Sequence, residues 1–149
     1  MSLEKKLMEA IKTAMKEKNQ QALAALRAVK SELILLKTSG SISELNETDE
    51  NKILQKLVKQ RKDSASIFSE QNREDLAIPE LEQAEIISQF LPKQMSENEV
   101  EIVVAEIISK TGANSMKDMG KVMGLTNSKL AGKADGKTIS GIVKKMLSN

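Results

Sequence analysis

The chain has no cysteine, histidine, tryptophan or tyrosine, and only two prolines and two phenylalanines. Without cysteine there is no disulfide, thiolate metal site or cysteine nucleophile, and without histidine the commonest metal ligand and general base are missing. Most hydrolase templates fall with them. Strand-rich folds lean on aromatic and β-branched residues, so a chain poor in rings and rich in Leu, Ala, Lys, Glu and Met is expected to be all-α. Long apolar runs are also missing. The opening MSLEKKLMEAIKTAMKEKN never stays apolar for the roughly 7–15 residues of a signal-peptide core, and nothing approaches the ~20 of a membrane span. The expectation is a cytoplasmic monomer without membrane contact.

What the chain does have is unevenly placed charge. From Ile107 to Asn149 there are eight lysines against Asp118 and Asp135, a net +6 in a chain whose total is +2, so the remainder stands at −4. Such a split suggests that one end meets a polyanion while the other does something else.

Apolar spacing divides the chain into helices. Leu3, Leu7, Ile11 and Ala14 or Met15 recur at helical intervals after Ser2, a good N-cap. Leu23, Leu26, Val29, Leu33 and Leu36 mark a second helix ending before Ser39-Gly40, and the polar stretch Thr38 to Asn46 is expected to be an exposed loop. Thr48 or Asp49 is expected to cap a third helix, with Ile53, Leu57, Val58, Ala65 and Phe68 inward, and Asn72 a left-handed break after it. In the fourth, Leu81, Ala84, Ile87 and Leu91 share a face, and Pro79 should kink the helix or end a short first turn.

Leu91-Pro92 is the strongest boundary, since Ser96-Glu97-Asn98-Glu99 follows at once as a capping box. Beyond it Val100, Val103, Val104, Ile107 and Ile108 line a helix that Gly112 should cap; Ser115 and Asp118 resemble a second capping box, opening a short helix that Gly124 should end. After a turn unit, Thr126 to Ala131, Asp135 is placed to cap a last helix with Ile139, Ile142, Val143 and Met146 on one side. The expected architecture is an N-terminal domain of about four helices, residues 1–92, and a Pro hinge to a smaller basic helical domain, residues 93–149.

Gly132-Lys133-Ala134-Asp135-Gly136-Lys137-Thr138 ends as a phosphate loop does, but three residues separate its glycines where four are needed to wrap amides round phosphates, and no buried strand precedes it. Nucleotide hydrolysis is therefore not expected. Two readings stay open: a generic anion site at a helix N-terminus, or a tight turn with solvated lysines. On the last helix Lys137 and Lys144 lie on one stripe with Ser140 and Gly141 between them, either a solvated face or one small enough for a phosphate backbone to come close; Lys117 and Lys121 form a similar pair. With no ring to stack on, any RNA should be held by phosphates, sugars and shape. The acidic clusters fall mostly near helix starts, where they favour the helix dipole, and Met116, Met119 and Met123 read as core fillers.

Three strings carry a family resemblance: Leu26-Arg27-Ala28-Val29-Lys30-Ser31-Glu32; Gln71-Asn72-Arg73-Glu74-Asp75-Leu76-Ala77 with Phe90-Leu91-Pro92; and Gly112-Ala113 through Met116 to Met123 and on to Gly132 through Lys137. The chain resembles the YqeY family, related to the helical and tail domains of the B subunit of the tRNA-dependent amidotransferase; Pro79 departs from the pattern. The resemblance implies two helical domains and kinship to a module that touches the outer corner of tRNA while other domains do the chemistry. Lys117, Lys121, Gly132, Lys133, Ala134 and Lys137 sit in the matching motifs, and Lys144 and Lys145 extend the set along the last helix. Carbon-nitrogen ligase activity with glutamine as donor is often attached to the family, but the amidase and the ATP-dependent activation belong to other parts of that assembly. Nothing in this chain replaces them, so no catalytic residue, metal or cofactor is expected, and the expected partners are tRNA and an amidotransferase or other translation protein. The alternative is a helical protein-interaction adaptor with no nucleic-acid role.

Overall fold

A computed structural model describes residues 2–39 and 45–148. The chain order is α1 (Leu3–Lys16), α2 (Gln20–Thr38), α3 (Glu47–Glu70), α4 (Glu74–Ser88), α5 (Glu97–Thr111), a 3-10 turn (Met116–Asp118), α6 (Met119–Lys129) and α7 (Gly136–Leu147), with no strand among the described residues. The fold is all-α. Most of the expected Thr38–Asn46 loop lies outside the described residues; Thr38 itself ends α2.

Contacts divide the chain into two compact units, Met1–Leu91 and Pro92–Asn149. In the first, α1 packs on α2, and α4 packs on both α2 and α3. Leu7, Leu23, Leu26, Val29, Leu33, Leu54, Leu57 and Ile87 form its core, and at the end of α1 the buried residue is Ala14, with Met15 turned outward. In the second, α5, α6 and α7 pack on one another around Val100, Val104, Val122, Ile139 and Val143.

Several local expectations are corrected. The cap of α3 is Asn46, whose side chain accepts from the Asp49 N–H while the Asp49 carboxylate accepts from the Asn46 N–H. Helix α4 runs from Glu74 to Ser88 with Pro79 inside it, so no separate first turn ends before the proline. The carbonyl that Pro79 leaves without a donor is that of Asp75, in the first turn beside water, so the loss is tolerable. Ala77, Ala84 and Ile87 form its buried face, whereas Leu81 is 48% exposed. Two alanines let α4 approach its neighbours closely, and that rotates the buried face away from Leu81. Gly124 does not end α6, because Val122, Thr126 and Leu130, four residues apart, are buried and carry the helix past it. The expected turn unit is therefore helical as far as Lys129. Met116 is 41% exposed, while Met119 and Met123 pack on the core.

Candidate nucleic-acid interface

In the second unit most of the acids lie on α5 and most of the lysines on the later elements. Helix α5 carries Glu97, Glu99, Glu101 and Glu106, whereas the seven lysines beyond Ser115 lie on the 3-10 turn, α6, the Leu130–Asp135 turn and α7. The two acids of that basic stretch are occupied with the backbone. Asp118 accepts from the Asn114 N–H at 3.1 Å, and Asp135 caps α7 by accepting from the Thr138 N–H at 2.6 Å.

Lys145 lies 3.8 Å from Glu101 and Lys129 lies 3.7 Å from Glu106, which ties two lysines loosely to α5. Lys117, Lys121, Lys133, Lys137 and Lys144 are exposed, and among the described residues none of them makes an ion pair. Helix α7 presents Lys137, Gly141, Lys144 and Lys145 outward because Ile139, Ile142, Val143 and Leu147 hold its other face in the core. The 3-10 turn with Lys117 packs on both α6 and α7, so the elements that carry these side chains adjoin one another.

Gly132 and Ala134 are placed differently. Both are buried, and Gly132 takes a φ of +79°, the left-handed conformation that favours glycine. The Gly132 carbonyl accepts from the Gln94 side-chain amide at 2.7 Å, and the Lys133 carbonyl accepts from the Met95 N–H at 2.8 Å. The turn thus anchors the start of its own unit and points the Lys133 side chain to solvent. Gln94 and Met95 were not legible as partners, since hydrogen bonds to carbonyls 38 residues away leave no local mark.

The helix N-terminus is not an open phosphate cradle. Asp135 engages the Thr138 N–H with its carboxylate and the Ile139 N–H with its carbonyl, while the Lys133 N–H donates to the Leu130 carbonyl. Among the described residues, the N–H groups of Gly136 and Lys137 remain without an acceptor. A capping carboxylate stands where an anion would sit, so what this turn offers an anion is its lysine side chains and not the helix N-terminus. The segment before the turn is α6, not the strand that a phosphate loop requires.

A groove of about 400 Å³ lies elsewhere in the unit, lined by Ile107, Lys110, Thr111, Leu125, Ser128 and Lys129. It brings together two lysines outside the candidate set. No three carboxylates gather as a metal ion would need, among the described residues.

The sequence profile of the Yqey-like proteins matches residues 4–147, nearly the whole chain. The chain belongs to the YqeY family. Another similar protein is the "Altered inheritance of mitochondria protein 41, mitochondrial" of Clavispora lusitaniae (strain ATCC 42720), 31% identical over 106 residues. That alignment takes in 70% of this YqeY-family chain and 61% of the relative's length.

Proposed function

We propose that this YqeY-family chain is a free-standing, non-catalytic module that binds tRNA through its second unit and serves a tRNA-dependent amidotransferase, with Pro92 as a hinge and the cytoplasm as its setting. One observation carries the reading: five exposed lysines without ion-pair partners stand on adjoining elements of one small unit. A lysine already paired must give up its partner before it meets a phosphate, and these need not. Gly141 between Lys137 and Lys144 leaves room for close approach, since a Cβ placed there would meet nothing within 4 Å.

Five neutralised phosphates imply that log K falls by about 4 per tenfold rise in salt. Titration of folded tRNA against the purified chain at several salt concentrations tests this. Changing Lys133, Lys137, Lys144 and Lys145 to Glu should weaken binding by roughly tenfold or more. Salt-independent binding, or equal affinity in the variant, overturns the reading. The purified chain should show no turnover with glutamine and ATP.

A further inference from the structure

Two helices of the first unit display opposite halves of a contact. On α1, Lys5, Lys12 and Lys16 are exposed on one side with Met8 (55% exposed) and Met15 (57%) beside them. Glu9 is the carboxylate that interrupts this side; Glu4 pairs with Lys37. On α4, Glu74, Glu82 and Glu85 are exposed around Ile78 (52%) and Leu81 (48%), and the helix contains no lysine or arginine. Its remaining first-turn acid, Asp75, is held by Arg73 through two hydrogen bonds of 3.0 Å, which keep its carboxyl below the usual range.

Neither stripe is used inside the fold, where α1 packs on α2 through its other face and α4 packs on α2 and α3. Among the described residues none of Lys5, Lys12, Lys16, Glu74, Glu82 and Glu85 makes an ion pair. The spacing also matches: Lys5 and Lys16, like Glu74 and Glu85, are eleven residues apart, roughly 16 Å along a helix and back on the same side. A methionine surface is adaptable and packs on aliphatic side chains without demanding one fit.

We propose that the chain associates with a second copy of itself, the basic methionine stripe of α1 on one protomer lying against the acidic aliphatic stripe of α4 on the other. This differs from the monomer expected from sequence and stands independently of tRNA binding. Two helix faces of this length bury less than the ~1,200 Å² of a standard stable interface. The association is therefore weak, seen towards millimolar protein, and sensitive to salt.

Sedimentation velocity of the full chain tests it. At low salt the sedimentation coefficient should rise with concentration, and high salt should suppress the rise. Neither the K5E/K12E/K16E variant nor the E74K/E82K/E85K variant should associate alone, since each then carries two faces of one sign. Mixing them should restore association, because opposite faces meet again. Replacing Met8 and Met15 with serine should weaken association in the charge-intact chain. Circular dichroism checks each variant's fold, and zero-length carbodiimide crosslinking of the unaltered chain, with one copy isotope-labelled, provides a measurement free of substitution. Intermolecular links between Lys5, Lys12 or Lys16 and Glu74, Glu82 or Glu85 are expected. A parent that stays monomeric at low salt, variants that fold but fail to recover on mixing, or crosslinks confined to other residues would overturn the proposal.

Discussion

Asp135 has two roles that oppose each other. Its carboxylate caps α7, a bond worth about 1 kcal/mol, and it places a negative charge among Lys133 and Lys137. The two roles separate chemically because asparagine caps as well as aspartate but carries no charge. Asp135→Asn is expected to leave thermal stability unchanged and to tighten tRNA binding a few-fold, on the order of one removed repulsion. Asp135→Ala is expected to cost about 1 kcal/mol in urea denaturation. If Asp135→Asn binds tRNA no better than the parent, the phosphates do not pass near this turn.

Helix α4 shows how an element absorbs an unfavourable residue. An interior proline costs about 3 kcal/mol, while replacing proline with alanine gives back roughly 0.4–1 kcal/mol through a freer unfolded chain. The helix term is larger, so Pro79→Ala is expected to stabilise the protein by about 2 kcal/mol, measured by urea denaturation. A loss of stability would mean that the first turn is better adapted to proline than to a regular helix. The same element marks a limit of sequence reading. Apolar periodicity found the helix, yet it placed Leu81 inward because it weighs all large aliphatics alike. Alanine, small enough for backbones to approach, chose the buried face instead. Helix α6 taught the opposite lesson: Gly124 looked like a stop, and the burial of Val122, Thr126 and Leu130 overrode it.

For the molecule, the two buried cores share no residue: one is drawn from Leu3 to Ile87, the other from Val100 to Leu147. A cavity in one should therefore be felt there first. Ile87→Ala, at a fully buried position, is expected to cost about 2–5 kcal/mol and to speed amide hydrogen exchange around Leu26 and Leu54, leaving protection around Val104 and Val143 unchanged. Equal loss of protection in both cores would show a single cooperative unit.

Composition and period alone determined that the chain is helical, and the capping signals at Ser2, Ser96 and Asp135 and the left-handed positions at Asn72 and Gly112 were also legible, because each acts within a few residues. The excess of lysine beyond Ile107 needed only counting. Tertiary structure decided which lysines remain unpaired, since ion pairs to Glu101 and Glu106 come from another helix. It also decided that Gly132 and Ala134 are buried in the turn that anchors Gln94 and Met95, and that α1 and α4 turn oppositely charged faces to solvent. Those facts depend on contacts between residues distant in the chain, and such contacts leave no periodic trace in the sequence that makes them.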